Sequence, residues 1–126
     1  MKSRNLRLIT FSTLIIAIVL ISVWAGCSAK KEKYGELISD LAATKVENIL
    51  AKSEDYEGKT VKVEGQIVEE CPSGCWFNLK GETGIIYVKI SEFVIPQKVG
   101  RTAVVEGKVS NETGRLSIFG NGVEIR

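Results

Sequence analysis

The chain has 126 residues, room for one small domain. Seventeen Lys and Arg face fifteen Asp and Glu, and 44% of residues are apolar, an ordinary globular composition that excludes a disordered or fibrous chain. There is no histidine, which excludes a Ser-His-Asp triad, a Cys-His dyad, a His-ligated zinc or haem and a His general base.

Lys2, Arg4 and Arg7 open the chain, Leu8 to Trp24 is uncharged and mostly apolar, and Ala25-Gly26-Cys27 closes the segment. A basic start, an apolar stretch and small residues at a cleavage point are the parts of an export signal. Ser22-Val23-Trp24-Ala25-Gly26-Cys27 resembles a prokaryotic lipobox. That resemblance implies a signal peptide over residues 1–26. Cys27 then becomes the first mature residue, with a diacylglycerol on its sulfur. The alternative is an uncleaved signal anchor. Both place the domain on the extracytoplasmic side of a cell or envelope membrane. Without Lys2, Arg4 and Arg7, fourteen basic residues face fifteen acids, a net charge of −1. A nucleic-acid binder usually carries a clear basic excess, so the charge argues against that class.

Residues 27–43 read as the lipidated cysteine and a tether, polar and basic from Ser28 to Lys33. Leu37, Ile38 and Leu41 give Tyr34 to Ala43 a weak helical pattern. Thr44-Lys45-Val46-Glu47 matches a capping box, with Thr44 as N-cap and Glu47 three residues on. Val46, Ile49 and Leu50 then form the apolar face of a short helix ending near Lys52 or Ser53.

From Thr60 the apolar period becomes that of a strand. Val61, Val63, Ile67 and Cys71 fall on one face, and Lys62, Glu64, Gln66 and Glu70 on the other. Pro72-Ser73-Gly74 is a turn, and Cys75, Phe77 and Leu79 share the inward face of a second strand. Ile85 to Ile90 is a third strand, with Ile86, Val88 and Ile90 inward. Ser91 to Gly100 is a connector, and Arg101 to Val109 a fourth strand. Asn111 to Gly114 is a turn that also spells a glycosylation sequon, Asn111-Glu112-Thr113. Leu116 to Ile125 is a fifth strand with a bulge expected at Gly120-Asn121-Gly122.

Five strands with one long connector between the third and fourth predict an all-β fold over residues 44–126. The expected form is a five-stranded OB-like Greek-key barrel preceded by a short helix, with a helix in the connector. Gly65 sits where the long first strand must bend to serve both halves. An SH3-like barrel or an open meander is the rival.

Cys71-Pro72-Ser73-Gly74-Cys75-Trp76-Phe77, then Ile86-Tyr87-Val88, Phe93-Val94-Ile95-Pro96 and Gly100 to Gly107 carry a further resemblance. Residues 58 to 110 resemble a family of small exported bacterial domains known only as a domain of unknown function. The strands also resemble, more loosely, anticodon-binding-like OB domains. Neither likeness implies an activity.

Cys71 and Cys75 are the chemical clue. As opposed hairpin residues they fall within disulfide distance, and an exported domain meets an oxidising compartment. The reading is a structural disulfide that pins the hairpin; a redox couple and a metal site are the alternatives. Two thiolates suit Cu(I), and a closed zinc site wants four ligands. No cofactor is otherwise implied. Trp76, Asn78, Tyr87 and Lys89 fall on the outer face of the second and third strands, where OB folds take ligands. An exposed Trp–Tyr pair stacks a sugar, a base or a partner's side chain, unless the Thr44–Ser53 helix or the segment before it covers the face and buries Trp76. No pair of carboxylates is placed for catalysis, so no enzymatic activity is expected. The reading is a membrane-anchored binding module for a protein partner or small ligand. The alternatives are a redox or metal-handling lipoprotein using the cysteine pair, and a binder of single-stranded nucleic acid or oligosaccharide.

Overall fold

A computed structural model describes Ile15, residues 30–36 and residues 38–126. Apart from Ile15, the signal segment lies outside the described residues, as does Cys27. Among the described residues no helix is long and apolar enough to cross a membrane.

The elements in order are β1 (Glu32–Gly35), β2 (Ala43–Thr44), α1 (Val46–Ala51), α2 (Ser53–Tyr56), β3 (Thr60–Glu70), β4 (Trp76–Lys80), β5 (Ile85–Lys89), β6 (Thr102–Glu112) and β7 (Arg115–Ile125). β3 pairs antiparallel with β4 and with β6, β4 with β5, and β6 with β7. The pairing of β5 with β7 is parallel, Tyr87 to Ser117 through Lys89 to Phe119, and it closes the barrel. That closure is the OB arrangement, and it excludes the open meander.

Alternation along the strands builds the core. Val61, Val63, Ile67, Phe77, Leu79, Ile86, Val88, Val105, Ile118, Val123 and Ile125 are all buried. β3 serves both halves: residues 60–66 pair with β6, and residues 66–70 with β4. At Gly65 an added Cβ would run into the Lys80 carbonyl, so only glycine fits where the two halves meet. Between Glu106 and Gly107 the β6–β7 register shifts, leaving Asn121 as the extra residue, at the bulge expected from Gly120-Asn121-Gly122.

Four details differ from the sequence reading. Among the described residues of 34–43 there is no helix; Glu32–Gly35 adds a strand to β7, and Ala43–Thr44 pairs with β3. Backbone pairing to an existing sheet outweighs a weak helical pattern too short to nucleate alone. The capping box does not form: Lys45 is the N-cap, with no side-chain cap bond. Glu47 turns away and accepts the N–H groups of Thr83 (2.8 Å) and Gly84 (3.2 Å) in the β4–β5 turn. These donors, Thr83 first, hold its carboxyl below the ordinary value. Third, the connector from Ser91 to Gly100 contains no helix. The plug role falls to α1, whose Val46 and Ile49 are buried while Leu50 stays 38% exposed. Last, the β3–β4 register shifts between Ile67 and Glu69, so Val68 is an extra residue. Beyond it the faces exchange: Glu70 pairs with Phe77 rather than facing outward, and Cys71 leaves the phase of Val61, Val63 and Ile67.

Candidate functional site

Two neighbouring features stand out: the turn from Cys71 to Cys75 and the outer face of β4, β5 and the start of β7.

The bulge at Val68 changes what opposes Cys71. Its N–H donates to the Trp76 carbonyl (2.9 Å), so it lies across from Trp76 rather than Cys75. The Gly74 N–H donates to the Cys71 carbonyl (2.9 Å) and closes a four-residue turn. Gly74 has φ +73°, a left-handed conformation that glycine adopts without steric cost. The two sulfurs still meet, with Sγ atoms 2.9 Å apart. The Ser73 hydroxyl stands 3.0 Å from the Cys71 sulfur and 3.6 Å from that of Cys75. The Cys75 thiol, then the Ser73 hydroxyl, then the backbone N–H groups of Cys75 and Ser73 favour a Cys71 thiolate and draw its pKa down to about 6. Both cysteines are half-buried and Ser73 is exposed.

The connector holds this turn from behind. The Ile95 N–H donates to the Gly74 carbonyl (3.2 Å), and Gln97 Nε2 to the Cys71 carbonyl (2.9 Å). Glu70, turned inward by the bulge, accepts the N–H groups of Lys98 (2.6 Å) and Val99 (3.1 Å) on one carboxylate oxygen. Its other oxygen is buried without a partner. Lys98 Nζ in turn reaches Glu32 of β1 at 2.9 Å. Among the described residues no cluster of three or more metal-ligating side chains forms.

The strand pairs put Trp76 across from Lys89 and Asn78 across from Tyr87. All four share the outer face, and all but the exposed Lys89 are half-buried. The Trp76 and Tyr87 ring centroids are 5.6 Å apart with planes tilted by 34°. α1 packs at the β4–β5 turn, with Val46 and Leu50 against Gly81 and Gly84, and the stack remains half-exposed among the described residues.

Three participants escape a reading of single strands. The parallel β5–β7 closure brings Arg115 beside Tyr87, its guanidinium carbon 4.3 Å from the ring centroid. It brings Phe119 beside Lys89, whose Nζ lies 5.6 Å from that ring. The bulge brings Glu69 beside Asn78, whose amide donates to the Glu69 carboxylate at 2.7 Å. A two-residue turn, Thr113 (φ +58°) and Gly114 (φ +77°), delivers Arg115 to the face. The only sequence signal for Arg115 and Phe119 was their alternation with Leu116 and Ile118.

No family model matches the chain, and neither does any curated protein. Among solved structures the chain is similar to that of the hypothetical protein ygiW from E. coli, at 19% identity and a TM-score of 0.49. That similarity covers 74% of this chain and 97% of the other.

Proposed function

We propose that this chain is an exported, membrane-tethered binding module that seats an extended, acidic segment of a protein partner on the outer face of β4 and β5. One observation carries the reading: the half-exposed stack of Trp76, Tyr87 and Arg115 on the face where OB barrels take ligands. Trp, Tyr and Arg are the side chains that most often dominate protein interfaces. Lys80, Lys89 and Arg115 are exposed around the stack, and the nearby Glu69 carboxylate is occupied by Asn78. That balance favours negative charge in the partner. A row of side chains along two paired strands suits an extended segment laid across them. The lipid on Cys27 would hold the barrel at the membrane surface through a short tether.

The test uses the full-length chain in detergent, with Trp24→Phe so that Trp76 is the lone tryptophan. Its fluorescence is titrated with a glutamate–tyrosine copolymer, with polygalacturonate and with oligothymidylate. The expected result is a saturable response to the copolymer that weakens with salt. Tyr87→Ala and Arg115→Ala should each lower the affinity about tenfold, the effect of removing one aromatic or Arg anchor. A copolymer response unchanged by both substitutions refutes this face. A response to polygalacturonate or oligothymidylate alone replaces the protein partner with a saccharide or a nucleic acid.

A further inference from the structure

The Cys71–Cys75 turn is held by hydrogen bonds of its backbone. Gly74 N–H closes it onto the Cys71 carbonyl, Cys71 N–H bonds Trp76, and Ile90 N–H bonds the Cys75 carbonyl. Gln97 and Ile95 fasten it to the connector. A bond across so short a ring removes little chain entropy, and here it would constrain a turn already fixed. The sulfurs nevertheless touch, beside an exposed hydroxyl, on a half-exposed edge at the head of the aromatic face. A frame whose hydrogen bonds do not depend on a sulfur–sulfur bond suits a pair that makes and breaks one.

We propose that Cys71 and Cys75 form a dithiol–disulfide couple that exchanges with an accessible external disulfide, with Cys71 as the attacking sulfur and Cys75 as the resolving one. The Cys71 thiolate attacks one sulfur of the external disulfide. The other sulfur leaves as a thiolate, takes a proton from water, and a mixed disulfide remains on Cys71. The Cys75 thiol then loses its proton and attacks the Cys71 sulfur, expelling the second external thiolate. The chain is oxidised by two electrons to the Cys71–Cys75 disulfide, and the external disulfide is reduced to two thiols. An external dithiol reverses the sequence. The disulfide expected from the sequence is then the oxidised state of this couple. The proposal rests on the turn alone and not on the partner face.

Hydrogen bonds from Cys75 and Ser73 set the expected rates. With the Cys71 pKa near 6, about a quarter of it is thiolate at pH 5.5, against about 0.1% of an ordinary thiol near 8.5. The weaker base is less nucleophilic by about tenfold, which leaves an advantage of about 20-fold.

The experiment takes the full-length chain in detergent with Cys27→Ser, reduced, and mixes it with dithiobis(nitrobenzoate) from pH 5 to 9. The expected result is two equivalents of released nitrothiobenzoate, a chain left oxidised without an adduct, and a rate at pH 5.5 about 20-fold above that of glutathione. Cys75→Ser should release one equivalent and retain the adduct on Cys71; Cys71→Ser should lose the fast phase. Ser73→Ala, which keeps both sulfurs, should move the midpoint of the rate profile to higher pH. Oxidised glutathione and a cystine-linked peptide, compared in the same assay, show whether small or protein-borne disulfides react faster. Equal slow rates for the two cysteine variants overturn the proposal, as does a pair that dithiothreitol cannot open. A pair that holds one equivalent of Cu(I) and does not exchange assigns the turn to metal binding instead.

Discussion

Replacing Gly74 by alanine tests how the thiol turn is held. Two costs add there. The residue sits at φ +73°, where a side chain costs about 1–2 kcal/mol. An added Cβ would also run into the carbonyl oxygen of Ile95, a backbone atom that cannot swing aside. Moving the connector to make room costs about 1–3 kcal/mol more, the range for overpacking a filled site. Gly58 separates the two costs, since its φ is +77° and an added Cβ there meets nothing within 4 Å. Gly58→Ala should therefore lose only the first cost, and Gly74→Ala about 2–5 kcal/mol in all. For a domain of this size the second cost corresponds to a melting temperature roughly 10 °C below that of the Gly58 variant. Circular dichroism during thermal and urea unfolding measures both variants. Equal losses would refute the claim that the connector presses on the turn. The same variants also bear on the chemistry: a displaced turn should slow disulfide exchange at Cys71, whereas Gly58→Ala should leave its rate unchanged.

Glu47 joins α1 to the β4–β5 turn, and its carboxyl is lowered by Thr83 N–H and the neighbouring amides. The folded value is below the unfolded one, so the stabilisation is present above the ordinary carboxyl value and is lost as pH falls through the depressed one. Glu47→Gln should flatten that part of the acid limb in urea midpoints measured from pH 3 to 6, and an unchanged limb would show that the contact carries no linkage. Ile49→Ala should cost about 2–5 kcal/mol, since Ile49 is the buried plug of the barrel. Thr44→Ala should cost less than about 0.5 kcal/mol, well under the roughly 1 kcal/mol of a lost cap, because Thr44 lies in β2 and caps nothing. Urea unfolding of these two variants checks both values.

Local chemistry made much of this protein legible from its residues. Strand alternation is a property of the chain itself, so Phe77, Leu79, Ile86 and Val88 could be assigned inward, and Trp76, Asn78, Tyr87 and Lys89 to one outer face. Gly120-Asn121-Gly122 announced its bulge by composition. The lipobox resemblance at Cys27 is equally local. Tertiary structure decided whatever depended on a partner far along the chain. The parallel meeting of β5 and β7 put Arg115 on Tyr87 and Phe119 under Lys89, contacts that no single-strand pattern contains. A two-versus-one mismatch with β4 placed the bulge at Val68, turned Glu70 inward and set Cys71 across from Trp76, although nothing in Ile67-Val68-Glu69 marks it. Thr44 and Glu47 had the spacing of a cap, but β3 claimed one and the β4–β5 turn the other. Backbone groups elsewhere in the fold offered bonds that the helix end could not match.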